Sequence, residues 1–458
     1  MTTEYIVTDE TIDLLTGSFG SVGNSNNYGS VVLADGTIVH ISTARIDGSY
    51  SISALIRPAG GTWADSLTEL VAKSSTSSPP MSVEATALSG GGFFVTWNSY
   101  DSATGLYSLT GQAFNADGSA AADPVVIGAS SNNIWNNADL EELSDGRLVA
   151  AWHASTNDNA GINQHDGRYG AYGRILEADG TPAGDSFEID AFNDDVGTEA
   201  IGYNDRIFDP DLVALEDGTF LATWWEIDRS PTQGYFSSDD NIHAQLFAAD
   251  GSQVGGDIEI MDGRDIMLNS DTGITDTDIR DPAAASQADG GTLIVARQAF
   301  NYYARFRAAD GTLSDYMLLD DFYDSDTRNT DMLDDITVAA LGDGRYLAAW
   351  TRYVTDDQER VVNSLIQGQY FSSDGTREGS IVTLAEGGYT YDGGTSSYTY
   401  WYSDPEIEAL PGGGFVLDLF APIANVDPVY VFDVDDTIIT GTPEADVLQG
   451  GWKSETYY

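Results

Sequence analysis

The 458-residue sequence contains no cysteine, so disulfides and thiolate metal sites are excluded. That absence does not by itself place the chain in the cytosol. Basic residues are scarce: Lys and Arg total 19 against 73 Asp and Glu, a formal charge of −54, and the only lysines are Lys73 and Lys453. Such a charge repels phosphate backbones and anionic headgroups, so neither nucleic acid nor a membrane surface is an expected partner. It attracts cations, and it serves equally to keep a protein soluble in salty surroundings. No run approaches the ~18 apolar residues of a membrane span. The opening MTTEYIVTDETIDLLTG has neither the basic nor the apolar region of a Sec signal peptide. Histidine is rare as well. His40, His153, His165 and His243 include no two at metal-ligand spacing, and no nucleophile elbow, phosphate loop or zinc-hydrolase helix motif is present. No catalytic or organic-cofactor residue can be singled out.

What the chain has in abundance is repetition. LSDGRLVAAW (143–152) returns as LEDGTFLATW (215–224), LGDGRYLAAW (341–350) and LSGGGFFVTW (88–97). Anchored on the second residue of the Asp-Gly or Gly-Gly pair, the motif falls at Gly36, Gly91, Gly146, Gly218, Gly290, Gly344 and Gly413. The steps are 55, 55, 72, 72, 54 and 69 residues, which fits loop insertions on a constant frame. A second motif follows the first: GQAFNADG (111–118), GRILEADG (173–180), AQLFAADG (244–251), ARFRAADG (304–311) and GQYFSSDG (368–375), with worn copies at 54–61 and 429–436. Asp-Gly between apolar runs is hairpin chemistry, since a tight turn needs a positive φ. A further short strand follows the second turn, as in SFEID (186–190), and another precedes the first, often opened by Asp-Pro.

Each unit therefore offers four strands, a to d, and seven such units predict an all-β, seven-bladed β-propeller over 1–436. The worn first unit leaves six or eight blades open. Trp97, Trp152, Trp224 and Trp350 end strand b at equivalent places, as wedges between blades or as a ring for stacking ligands. Arg297 in the fifth unit and Leu419 in the seventh break that rule. The last unit supplies only strands a to c, so EYIVTD (4–9) is expected to complete it and remove the exposed edge.

The a–b and c–d turns are all tight, so the opposite face should carry the long b–c and d–a loops, where binding is expected. Two of these loops cluster carboxylates at the spacing Ca²⁺ accepts. In 271–282 the candidate metal ligands are Asp271, Asp276 and Asp278, around Thr275 and Thr277, and in 320–335 they are Asp324 and Asp326. Neither loop matches the EF-hand pattern, and a solvated acidic loop explains them as well. Tyr398, Tyr400, Trp401 and Tyr402 form an aromatic patch that can stack on sugar rings or pack on its own loop.

The segment 437–458 contains TGTPEADVLQGG, which resembles the entry into an RTX (hemolysin-type) calcium-binding array built on G-G-x-G-x-D-x-U-x. Gly441 and Asp446 match the turn glycine and the ligand aspartate, Leu448 takes the apolar place, and Gly450–Gly451 would open the next repeat. WKSETYY then lacks the glycine and aspartate the next turn needs, so the array is expected to be cut short and Asp446 to be a weak site. The two blade motifs are similar to propeller-like repeats that precede RTX arrays in large secreted bacterial proteins. That resemblance implies type I secretion to a calcium-rich exterior, though that family's C-terminal secretion address is not recognisable here. The expectation is a secreted or cell-surface binding module, associated with Ca²⁺ and partnered by a glycan or surface protein. The alternative is a polysaccharide lyase or glycoside hydrolase with its site at the central funnel, for which a carboxylate pair would suffice. The two differ in what they require. An enzyme needs charged groups from three or more blades at one funnel, whereas a binder needs exposed aromatics on the loop face.

Overall fold

The computed structural model describes residues 5–7, 28–46, 49–64, 67–74, 81–102, 104–130, 138–155, 169–190, 206–228, 239–263, 266, 279–298, 301–321, 336–355, 361–386, 389–392, 395–398, 403–420 and 429–434. These form seven four-stranded antiparallel blades in a ring, a seven-bladed β-propeller, with a single parallel bridge between Tyr169 and Arg206 linking the third and fourth. In order a to d, blade 1 is Tyr28–Val32, Ile38–Ile46, Ser49–Arg57 and Thr68–Ser74. Blade 2 is Met81–Ala87, Phe93–Asp101, Leu106–Phe114 and Val125–Ser130. Blade 3 is Asp139–Glu142, Leu148–Ser155, Tyr169–Leu176 and Phe187–Asp190. Blade 4 is Arg206–Ala214, Phe220–Asp228, Asp239–Phe247 and Gln253–Asp262. Blade 5 is Ile279–Ser286, Thr292–Gln298, Asn301–Arg307 and Met317–Asp321. Blade 6 is Ile336–Ala340, Tyr346–Thr355, Val361–Phe371 and Arg377–Glu386.

Blade 7 takes Ser403–Ala409, Phe415–Phe420 and Val429–Val434 as strands a to c. Its fourth strand is Tyr5–Val7 from the other end of the chain, antiparallel, with Tyr5 opposite Val434 and Val7 opposite Phe432. Strand a of every blade touches strand a of both neighbours, closing the ring from blade 7 to blade 1.

The repeated turns work differently from a simple two-residue hairpin. Only glycine takes the left-handed conformation, with φ of 85° at Gly36 and 83° at Gly146, while the preceding aspartates do not. The aspartate acts through its side chain: Asp35 accepts the Thr37 amide at 2.9 Å, and Asp145 accepts the Arg147 amide at 3.1 Å. Glycine bends the chain and aspartate locks the bend. The Asp-Pro openings also have a role. Asp209, Asp281 and Asp404, and Ser82 in the same place of blade 2, sit at φ between 46° and 52° on a β-bulge that starts strand a.

Between successive blades lie seven apolar clusters, one per interface. Trp97, Trp152, Trp224 and Trp350 are buried in four of them, which settles them as wedges. Trp152 lies flat enough on blade 2 that a Cβ at Gly128 would meet its ring at 2.9 Å. In blade 5 the wedge place belongs to Ala296, in the cluster with blade 4, and not to Arg297, one residue further on. Strand alternation therefore turns Arg297 to the opposite face. Trp224 is 1 % exposed, and truncating it leaves a large void between blades 3 and 4. Trp224→Ala is expected to cost about 3–5 kcal/mol, read from the midpoint of urea unfolding.

The polar residue of the second motif clamps its own hairpin and sometimes the next blade. Gln112 donates to Ala122 O at 2.8 Å. Arg174 donates to Gly184 O and, at 2.7 Å, to Ile127 O of blade 2; Arg305 donates to Ser314 O and, at 2.6 Å, to Ile260 O of blade 4. The loop faces are less unequal than expected. The b–c connections are short in blades 1, 2 and 5, so the d–a connections carry most of the length. One of them holds an additional hairpin, Tyr389–Asp392 with Thr395–Tyr398.

Candidate functional site in the central channel

Seven strands a converge on the axis, so whatever they carry on their channel side meets there. Aligned on the turn glycine, one place in strand a reads Gly29, Glu84, Asp139, Asp211, Ala283, Thr337 and Glu406 round the ring. Two residues further on, the same face of the strand adds Glu141 in blade 3 and Glu408 in blade 7. Four blades thus bring six carboxyl groups into one channel. Each keeps part of its surface open to the channel, with protein closed around the rest.

Several of these groups reach from blade to blade. Asp139 accepts the backbone amide of Leu212 in blade 4, and Asp211 accepts that of Ala284 in blade 5 at 2.9 Å. Glu406 extends over Gly29 of blade 1, where a Cβ would stand 3.2 Å from its Oε2. Behind Glu406, on the neighbouring strand, is the buried Asp418. Its Oδ2 lies 3.5 Å from His40 Nδ1, and Ser30 Oγ is 3.3 Å from the same nitrogen.

Burial and crowding shift the protonation of the ring. Burial pushes Glu84 up to about 8, the Asp139 and Glu408 charges adding to it against a hydrogen bond from the Ala85 amide. Burial lifts Asp139 to about 6, while the amides of Leu212 and Leu140 hold it down. Glu408 rises to about 8 through burial, then through Asp418 and Asp139. Glu141, Asp211 and Glu406 stand well above the ordinary range, again by burial first and neighbouring carboxylates second. At neutral pH Glu84 and Glu408 therefore hold protons and Asp139 is largely ionised. This is the divergence of environments that lets one carboxyl donate a proton while another keeps its charge.

None of these residues was singled out in the sequence reading. The signal was present as an acidic column in the strand-a alignment, where an innermost strand would otherwise be apolar. Of the histidines, His153 is buried, which lowers it to about 4 and keeps it neutral beside Asp209 at 3.8 Å. His243 is opposed by burial, yet its 2.9 Å contact with Asp257 and the nearby Glu226 and Glu259 prevail and raise it. It lies on strand c of blade 4, away from the strand-a ring. The expected calcium ligands Asp271, Asp324, Asp326 and Asp446, with positions 275–278, lie outside the described residues, as do Tyr400, Trp401 and Tyr402. Tyr398 ends the additional hairpin, and its side chain is likewise outside the described set. Among the described residues no group of three or more His, Asp and Glu is arranged to hold a metal ion.

No family model and no curated protein matches this chain. Solved structures do match in form. The α-L-arabinanase of Penicillium chrysogenum complexed with arabinobiose is 12 % identical over 78 % of this chain and 94 % of its own, with a TM-score of 0.43. The β-propeller domain of the trilobed protease from Pyrococcus furiosus is 8 % identical over 91 % and 98 %, at 0.45. The polysaccharide lyase Uly1 is 8 % identical over 90 % and 91 %, at 0.49. At such identities and scores the likeness is one of propeller form, and nothing of their chemistry carries over to this chain.

Proposed function

We propose that this chain is a secreted, glycan-binding propeller that hydrolyses a neutral polysaccharide in its central channel. The observation that supports the reading is the convergence of carboxyl groups from four blades with unlike protonation at one pH. Glycoside hydrolysis needs one carboxylic acid to protonate the leaving oxygen and one carboxylate to act on the other side of the sugar. Glu84 suits the first role, because it retains its proton at pH 7 and is open to the channel. Asp139 suits the second, being the less strongly raised of the pair and oriented by two backbone amides. The surplus of negative charge favours uncharged chains and disfavours a lyase acting on uronates.

The experiment is reducing-sugar release from a panel of neutral polysaccharides. Glu84→Gln and Asp139→Asn should each lower kcat by about 10²–10⁴-fold without altering the far-ultraviolet spectrum. Release from no neutral polymer, or wild-type activity in both variants, would defeat the reading. One observation favours a second, purely structural role. Asp139 and Asp211 join neighbouring blades, so a scaffold protein would also retain them. In that case Asp139→Asn and Asp211→Asn lose stability and there is no activity to lose.

A further inference from the structure

Beside Glu84, blade 2 differs from blades 4 and 5 in how the start of strand a is tied to strand b. In blades 4 and 5 the bulge aspartate at the start of strand a is satisfied by a donor near the end of strand b. Asp209 accepts Trp225 Nε1 at 2.9 Å, and Asp281 pairs with Arg297. Blade 2 has Ser82 and Asn98 in those two places, and they do not satisfy each other. Asn98 is 3 % exposed, and among the described residues neither its Oδ1 nor its Nδ2 has a hydrogen-bond partner. Ser82 Oγ and Thr96 Oγ1, equally buried, are also unpartnered.

The register gathers these groups around one acid. Thr96 is directly opposite Glu84, and Asn98, two residues along the same strand, shares that face of the sheet. Ser82 is on the bulge that feeds Glu84 into the channel. Leaving both ends of a buried amide unpaired is costly.

We infer that Ser82, Thr96 and Asn98, beside Glu84, form a subsite for a vicinal diol of a neutral sugar. This deepens the channel reading and rests on it. The chemistry follows from what each candidate ligand offers. A cation satisfies only the oxygens and leaves Nδ2 unpaired. An anion accepts from Nδ2 and from the two hydroxyls, but it leaves Oδ1 unpaired and is repelled by the surrounding carboxylates. A hydroxyl both donates and accepts, so two adjacent hydroxyls can serve both ends of the amide while one also meets Glu84. In this arrangement Asn98 and Ser82 determine which sugar is held, and Glu84 acts on what they hold.

The test uses the full chain with methyl pyranosides bearing a vicinal diol, and their dideoxy counterparts, followed by saturation-transfer NMR. Wild type should show transfer to the diol glycosides and not to the dideoxy ones. Asn98→Leu should weaken that transfer at least ten-fold while melting at the same or a higher temperature, because a similar-sized apolar group replaces an unpaired amide. Ser82→Ala should weaken it in the same direction. If Asn98→Leu binds diols as wild type does, while Glu84→Gln still abolishes hydrolysis, the place holds solvent only. The subsite is then wrong and the channel reading stands. Neither glycoside transfer nor hydrolysis by wild type would overturn both.

Discussion

Replacing either His40 or Asp418 by leucine is expected to destabilise the ring by about 3–5 kcal/mol, and replacing both together to recover most of that loss. The reason lies in the interface where the ring closes. Its apolar cluster contains Ile38, Leu55, Leu410, Val416, Val429 and Val431 but no tryptophan among its buried members. At the place of His40 the other blades carry Val95, Ala150, Ala222, Ile294, Ala348 and Leu417. At the place of Asp418 they carry Ile41, Thr96, Ala151, Thr223, Val295 and Ala349. Only the closing interface sets a histidine against a carboxylate there, 3.5 Å apart and almost wholly buried. Removing one partner leaves the other in a low-dielectric interior, whereas removing both leaves two packed hydrocarbons. Urea unfolding followed by tryptophan fluorescence measures the cycle. A double variant no better than the worse single one would show that the two residues do not act on each other.

The second large effect is on pH dependence. Thermal stability should peak near pH 5 and decline toward pH 8, and Glu84→Gln or Glu408→Gln should flatten that decline. In the folded state both glutamates are raised to about 8 from an ordinary 4.5, so the native protein binds these protons more tightly than the unfolded chain. The resulting stabilisation is fully present below pH 4.5 and is lost as pH rises through about 8. On the acid side the turn aspartates act in the opposite sense. Side-chain hydrogen bonds from Ser119 and Ser252 hold Asp117 and Asp250 below their ordinary 3.8, and the Thr37 and Thr312 amides do the same for Asp35 and Asp310. Their contribution is present above pH 3.8 and disappears as pH falls through the lowered values. Repulsion from the formal charge of −54 also grows above pH 5, but it is nearly common to wild type and variants. The difference between melting curves from pH 4 to 9 therefore isolates the channel. At pH 5 the glutamine variants should match wild type, and at pH 8 they should melt higher. Parallel curves would mean that the two carboxyls titrate normally.

The sequence was most legible where one residue type had one local task, repeated. Gly36, Gly146, Gly218 and Gly344 mark turns because the bend needs a positive φ, and the motif therefore announces itself at each blade. The tryptophan places were legible for a similar reason, since each blade repeats the same contact with its predecessor. Two errors of detail have physical causes. The Asp-Gly pair was read as a unit with a shared backbone role, whereas aspartate contributes a side-chain acceptor. Arg297 was placed in the wedge position, but a single residue step along a strand turns a side chain to the other face.

By itself, the sequence pointed to seven blades, with six or eight left open by the worn first unit, to the strands within each and to the joining of the two termini. Turn chemistry and alternation are local, and repetition makes them unmistakable. Only the tertiary structure decided where the chemistry lies. Successive members of the set Glu84, Asp139, Asp211 and Glu406 are 55, 72 and 195 residues apart along the chain and look like ordinary members of an acidic composition. Closing the ring brings their strands side by side, removes much of their water and sets their charges against one another. Proximity across blades and the loss of solvent are properties of the closed ring, so no single segment carries a signature of them.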